Sequence, residues 1–166
     1  MKPKVLWIED GAFLEASRFT GPVYTNGKYD LVIALDASDG VHRLLETEFD
    51  AVVIDIRIEP GNDPKWISLW NQLGEDKIQA RLGIHLLYSF LSPAEAKVKL
   101  GVIPVWISPV RFGVLTVESY REVEKDLKKL DIQAFNQKTA DIPKTTLFEL
   151  IEKIVAANKS PISKGG

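Results

Sequence analysis

Apolar residues in this chain gather into short, nearly unbroken runs, separated by stretches where they recur every three or four positions. Residues 4–8 carry Val5, Leu6, Trp7 and Ile8 in succession, as expected of a strand covered on both faces. Residues 31–35, 51–56 and 103–107 repeat the pattern, and 131–137 forms a weaker fifth run. Between the runs the period becomes helical. Gly11 to Ala16 opens a helix predicted to fade at Gly21-Pro22. Asp36 to Asp39 supply cap chemistry for a helix carrying Val41, Leu44, Leu45 and Phe49. Trp66, Leu69, Trp70 and Leu73 mark a short amphipathic helix behind the turn-forming residues 59–63, and Leu82, Leu86, Leu87 and Phe90 mark another over 79–91. Ser92-Pro93 reads as a further helix start, Glu118 to Leu130 as a charged surface helix, and Leu147 to Val155 as the last helix.

Strands alternating with helices imply an α/β domain with a parallel sheet, right-handed crossovers and helices on both faces. One domain over residues 1–157 accounts for the pattern, with 158–166 as a small polar tail.

Composition narrows the function. With 166 residues and 45% hydrophobic content the chain can bury a core. A net charge of -2, with both signs spread along the sequence, argues against nucleic acid and anionic membranes as partners. The absence of cysteine excludes disulfides, thiol nucleophiles and thiolate metal sites. No run approaches a spanning helix and no signal-like segment follows Met1, so a cytoplasmic location is expected.

Several of the strand-like runs end in polar residues suited to one pocket: Glu9 and Asp10 after the first, Asp55 within the third, Ser108 after 103–107, and Lys138 after the fifth. In open α/β sheets ligands sit beyond the carboxyl ends of the strands, so these side chains can converge. Three carboxylates, a hydroxyl and an amine suit a divalent cation and a phosphoryl group. Phosphoryl transfer needs positioning and charge neutralisation, and Mg²⁺ takes oxygen ligands, often only one or two of them carboxylates. His42 and His85 lack metal-ligand spacing and read as structural.

In this order the residues resemble the receiver domain of two-component response regulators, including the stand-alone chemotaxis regulators. That family has an acidic pair after its first strand, a phosphoacceptor aspartate after the third, Ser or Thr after the fourth and Lys after the fifth. Gly83-Ile84-His85-Leu86-Leu87 is also similar to the opening of its third helix. The resemblance implies a flavodoxin-like, five-stranded sheet of order 2-1-3-4-5. It implies that Asp55 accepts a phosphoryl group from a histidine kinase or phosphotransfer protein in a phosphorelay. Glu9, Asp10, Asp55 and the backbone carbonyl of Arg57 would hold Mg²⁺, and Ser108 and Lys138 would engage the phosphoryl oxygens. Ser108 and Phe135 would form the switch that signals to a downstream protein target, with a homodimer left open. Such a protein is not an enzyme beyond its own phosphorylation and dephosphorylation.

The sequence departs from the family in three places. Asp55 and Ser108 are 53 residues apart, and the surplus is assigned to an insertion over about 59–79. Trp66 and Trp70 on that insertion could cover the acceptor loop, dock a partner or pack on the core. Thr139 follows Lys138 where proline is usual, and Pro109 follows Ser108 where a small residue is usual. The alternative reading is a degenerate receiver acting as a constitutive interaction module. A phosphohydrolase is disfavoured, because Arg57 stands where the general acid two residues past the nucleophile belongs.

Overall fold

A computed structural model describes residues 1–160. The strands β1 (Lys4–Ile8), β2 (Asp30–Ala34), β3 (Ala51–Ile54), β4 (Phe112–Thr116) and β5 (Ala134–Gln137) form one parallel sheet of order β2-β1-β3-β4-β5. The helices are α1 (Thr20–Asn26), α2 (Ala37–Glu46), α3 (Pro64–Gln72), α4 (Lys77–Ala80), α5 (Leu82–Leu91), α6 (Tyr120–Lys129) and α7 (Thr146–Lys159). The α/β class, the strand order and the covering of both faces agree with expectation.

Alternation along the central strands divides the core in two. Leu6, Ile8, Val52, Ile54 and Val114 face a layer built from α2, α3, α5 and α6. Val5, Trp7, Ala51, Val53 and Leu115 face α1 and α7. Successive strand residues point to opposite faces, so a sheet covered on both sides requires unbroken apolar runs. That is why the first three strands are so plain in the sequence.

The fourth strand is a correction. Residues 103–107 form an irregular connection with Val102 and Val105 exposed, whereas every residue of Phe112–Thr116 is buried. Pro104 falls inside the expected run and Pro109 two residues past it, and proline has no N–H to give a central strand's ladder. The chain between β3 and β4 is long in two places: α3 and α4 over the expected 59–79 region, and the irregular stretch from α5 to β4.

Local chemistry accounts for the other adjustments. Residues 11–16 are turns leading to a 3-10 segment at Ser17–Phe19, and α1 begins near the residues expected to end a helix. Pro22 sits in its first turn, where no intrahelical acceptor awaits an N–H, and Gly27 at φ 73° ends it. The expected 79–91 helix is two helices, broken at Arg81 with φ 46°. Ser119 and Glu122 form a capping box that starts α6. Asn158 and Lys159 belong to α7, and the remainder of the expected tail beyond Ser160 lies outside the described residues.

Candidate functional site

Because β1, β3, β4 and β5 run parallel, their carboxyl ends meet at one rim. Ile8 pairs in register with Ile54, which places Glu9 beside Asp55 directly beyond the sheet. The Asp55 backbone N–H donates to the Ile8 carbonyl at 3.0 Å, fixing the two loops together. On the other side Thr116 is in register with Gln137, and the Lys138 N–H donates to the Thr116 carbonyl, delivering the lysine to the same rim.

The cleft there has a volume of about 390 Å³, and Glu9, Asp10, Asp55, Arg57, Lys77 and Lys138 are among the residues lining it. Glu9 and Asp55 are buried, and carboxylate oxygens of Glu9, Asp10 and Asp55 all lie within 4.8 Å of one another. The Lys138 ammonium donates to Glu9 and, at 3.0 Å, to Asp55 Oδ2. The Arg57 N–H donates to Asp55 Oδ1 at 3.3 Å. A second lysine, Lys77 of α4, pairs with Asp10 Oδ2 at 2.9 Å and Glu59 Oε1 at 3.3 Å.

Behind this rim α5 packs very close to the acceptor loop. A Cβ on Gly83 would lie 2.2 Å from the Asp55 carbonyl oxygen, and the Gly83 N–H donates to the Ile56 carbonyl at 2.9 Å. The glycine singled out in the sequence is therefore required by contact with the backbone that carries Asp55.

Three carboxylates and two ammonium groups cluster at the floor of the cleft, and over the whole lining the acids Glu9, Asp10, Glu15 and Asp55 are matched by Arg18, Arg57, Lys77 and Lys138. Burial, and after it the charge of Asp55, push the Glu9 carboxyl up to about 8. Burial alone would lower the Lys138 ammonium, but Asp55 and Glu9 outweigh it and leave its pKa raised. This oxygen-only donor set fits a hard divalent cation such as Mg²⁺, with Glu9, Asp10 and Asp55 as the side chains able to hold it.

The raised Glu9 pKa has a measurable sign. The folded state holds this proton more tightly than the unfolded chain, so the Glu9 contribution to stability is complete below pH 4.5, declines above it and is lost through about pH 8. In metal-free buffer the urea midpoint is expected to fall across that window. Glu9→Gln should flatten the fall and raise the midpoint at its alkaline end. An unchanged slope in Glu9→Gln would reassign the effect to another group.

Ser108 is not at this site. It precedes a 3-10 turn at Pro109–Arg111 before β4 begins, and thus lies at the amino end of the sheet, opposite Asp55. The hydroxyl that ends the fourth strand is Thr116, fully buried and 22 residues before Lys138. The signal was present in the sequence, because Phe112 to Leu115 is an apolar run free of proline that ends in Thr. Thr116 thereby replaces Ser108 in the position assigned to the switch hydroxyl. Phe135 is half-buried on β5 and packs edge-on to Tyr120, with centroids 5.4 Å apart.

Of the three roles open to Trp66 and Trp70, the structure favours packing on the core. Trp66 is wholly buried in the core and Trp70 packs partly buried against it, so both serve to seat α3. Glu118, read from sequence as part of a solvated helix, is buried instead. It pairs with Arg81 at 2.8 Å and lies 3.5 Å from Arg57, tying the loop after β4 to the start of α5 and to the acceptor loop.

No protein-family model matches the sequence, and no curated protein matches it. Solved structures do match in fold. The receiver domain of the Francisella response regulator 1452 superposes with a TM-score of 0.59 at 19% identity, covering 95% of this chain and 98% of its own. The response regulatory domain of mrkE from Klebsiella pneumoniae gives 0.57 at 17% identity over 94% and 98%. The chemotaxis response regulator CheY4 of Vibrio cholerae gives 0.56 at 14% over 93% and 99%. The fold is that of response-regulator receiver domains, in a divergent form. Among the described residues no helix is long and apolar enough to cross a membrane.

Proposed function

We propose that this protein is a phosphoacceptor signalling domain in which Asp55 takes a phosphoryl group from a phosphohistidine on a kinase or phosphotransfer protein, with Mg²⁺ bound. The observation that carries this reading is the convergence of Glu9, Asp10, Asp55 and Lys138, from three strand ends, at one acidic cleft. A carboxylate oxygen of Asp55 attacks phosphorus, the P–N bond breaks, and the imidazole leaves with its electron pair and takes up a proton. Mg²⁺ would neutralise charge on the transferring group.

The chain's own residues do the rest. Arg57 N–H orients the Asp55 carboxylate. Lys138, already on Asp55, transfers its hydrogen bond to a phosphoryl oxygen, and the Thr116 hydroxyl serves as the second donor. Loss of the lysine from Glu9 and movement at Thr116 carry the event to the β4–α6 loop and to the Phe135–Tyr120 pair, where a downstream protein reads it. The protein acts by changing what it binds, and catalyses nothing beyond its own phosphorylation and dephosphorylation.

The test is acetyl phosphate or phosphoramidate with Mg²⁺, followed by intact mass. Addition of one phosphoryl group to the wild type, lost in Asp55→Asn, supports the reading; an unmodified wild type overturns it. The second reading, a constitutive interaction module, draws support from the occupation of the acidic cleft by two lysines. It gains if Mg²⁺ with beryllofluoride produces no saturable change in tryptophan fluorescence.

A further inference from the structure

Lys77 comes from none of the strand ends that build the cleft. It is the first residue of α4, a single helical turn placed between α3 and α5, and its ammonium lies on Asp10, one of the three carboxylates able to hold a cation. The side chain of Asp10 is only 16% exposed, so this is a pair at a partly closed cleft rather than a contact in open solvent. Glu59 holds the same ammonium from the acceptor-loop side.

The segment that carries Lys77 is poorly anchored otherwise. Of α4 only Ala80 is buried, while Ile78 projects into solvent. Left-handed backbone brackets the turn on both sides, at Gly74 (φ 115°), Glu75 (φ 58°) and Arg81 (φ 46°). For the two non-glycine residues that conformation is strained and persists only while neighbouring contacts enforce it. Arg81 is enforced by Glu118 and by the Glu122 carbonyl. At the other joint α3 ends with the Glu75 N–H on the Trp70 carbonyl. The piece between the joints is a short flap whose links to the body are Ala80 and the two ion pairs of Lys77.

We infer that Lys77 is a tethered cation that competes with the divalent metal for Asp10, so that α4 must release before the cleft can bind the ion and accept a phosphoryl group. The inference rests on the phosphoacceptor reading for the identity of the ion. An ammonium and a metal cannot share the same oxygen lone pairs, and two cations in one cleft repel. Each must therefore weaken the other by the same factor. The flap thus makes metal binding report on whatever holds or frees the segment from Gly74 to Arg81.

Calorimetric titration of the full chain with Mg²⁺ tests this, using wild type, Lys77→Met, Lys77→Gln, Lys77→Arg and Asp10→Asn. Lys77→Met and Lys77→Gln are expected to bind at least about fivefold tighter than wild type, the lower range of site-to-site coupling. Lys77→Arg should stay near wild type, and Asp10→Asn should lose binding. Hydrogen exchange of wild type should rise within residues 75–80 when Mg²⁺ is added. Equal or weaker binding by both uncharged variants overturns the gate while leaving the phosphoacceptor reading in place. Absence of Mg²⁺ binding in wild type and all variants overturns both.

Discussion

Replacing Lys138 by Met is expected to destabilise the metal-free protein by about 3–5 kcal/mol at alkaline pH, and by much less near pH 5. Lys138 is the cation in contact with both buried carboxylates, Glu9 and Asp55. Without it two negative charges would face each other in a desolvated cleft. Glu9 can escape the penalty by keeping its proton, since burial already raises its pKa to about 8. At acidic pH the variant therefore holds one neutral and one ionised acid, and the loss shrinks. Urea midpoints at about pH 5 and about pH 8.5 measure the contrast. The double variant Glu9→Gln/Lys138→Met should recover much of the alkaline loss. An equal loss at both pH values would mean that Lys138 acts through packing of its stem rather than as the counter-ion of the cleft.

Gly83→Ala is expected to cost about 3 kcal/mol, or to prevent folding, although it adds one methyl group to a helix. The new Cβ would stand 2.2 Å from the Asp55 carbonyl oxygen and 2.7 Å from Ile56 Cα. Neither is the end of a flexible side chain, so α5 must lift from the sheet or the acceptor loop must move. Gly21→Ala provides the contrast. It lies in the first turn of α1 with nothing within 4 Å of the added Cβ, and should be neutral or stabilising by up to about 1 kcal/mol. Thermal melts of the two variants should shift in opposite directions or leave Gly21→Ala unchanged. Comparable losses would remove the close-approach argument for Gly83.

The parts of this fold that were legible in the sequence are those decided by local periodicity. β1 and β3 are uninterrupted apolar runs because both faces are covered, and each is followed at once by the acids of the cleft. Glu9, Asp10, Asp55 and Lys138 meet at one rim, as their places at strand ends predict. The fourth strand failed because two apolar runs competed. Gly113 weakens the true one, and it sits where a Cβ would crowd the movable end of Ile154 at 2.6 Å and Ala134 Cβ at 3.1 Å. Pro104 and Pro109 should have demoted the other. Lys77 and Glu118 were not legible at all. Each looks like an ordinary surface residue, and what makes it part of the site is a tertiary approach that no spacing encodes. Trp66 and Trp70 illustrate the converse: aromatic residues on an added helix invite a docking role, but the added helix needs its own anchor to the core.

The long excursion between β3 and β4 also bears on how the chain reaches its folded state. β1, β2 and β3 come from the first third of the sequence, and their pairings can close early. The chain leaves the sheet after Ile54 and rejoins it as a strand only at Phe112. Closure entropy grows slowly with loop length, yet non-local parallel pairing still delays folding. Until β4 docks, β3 presents an open apolar edge, and a nascent or thermally opened chain is most exposed to self-association at that seam.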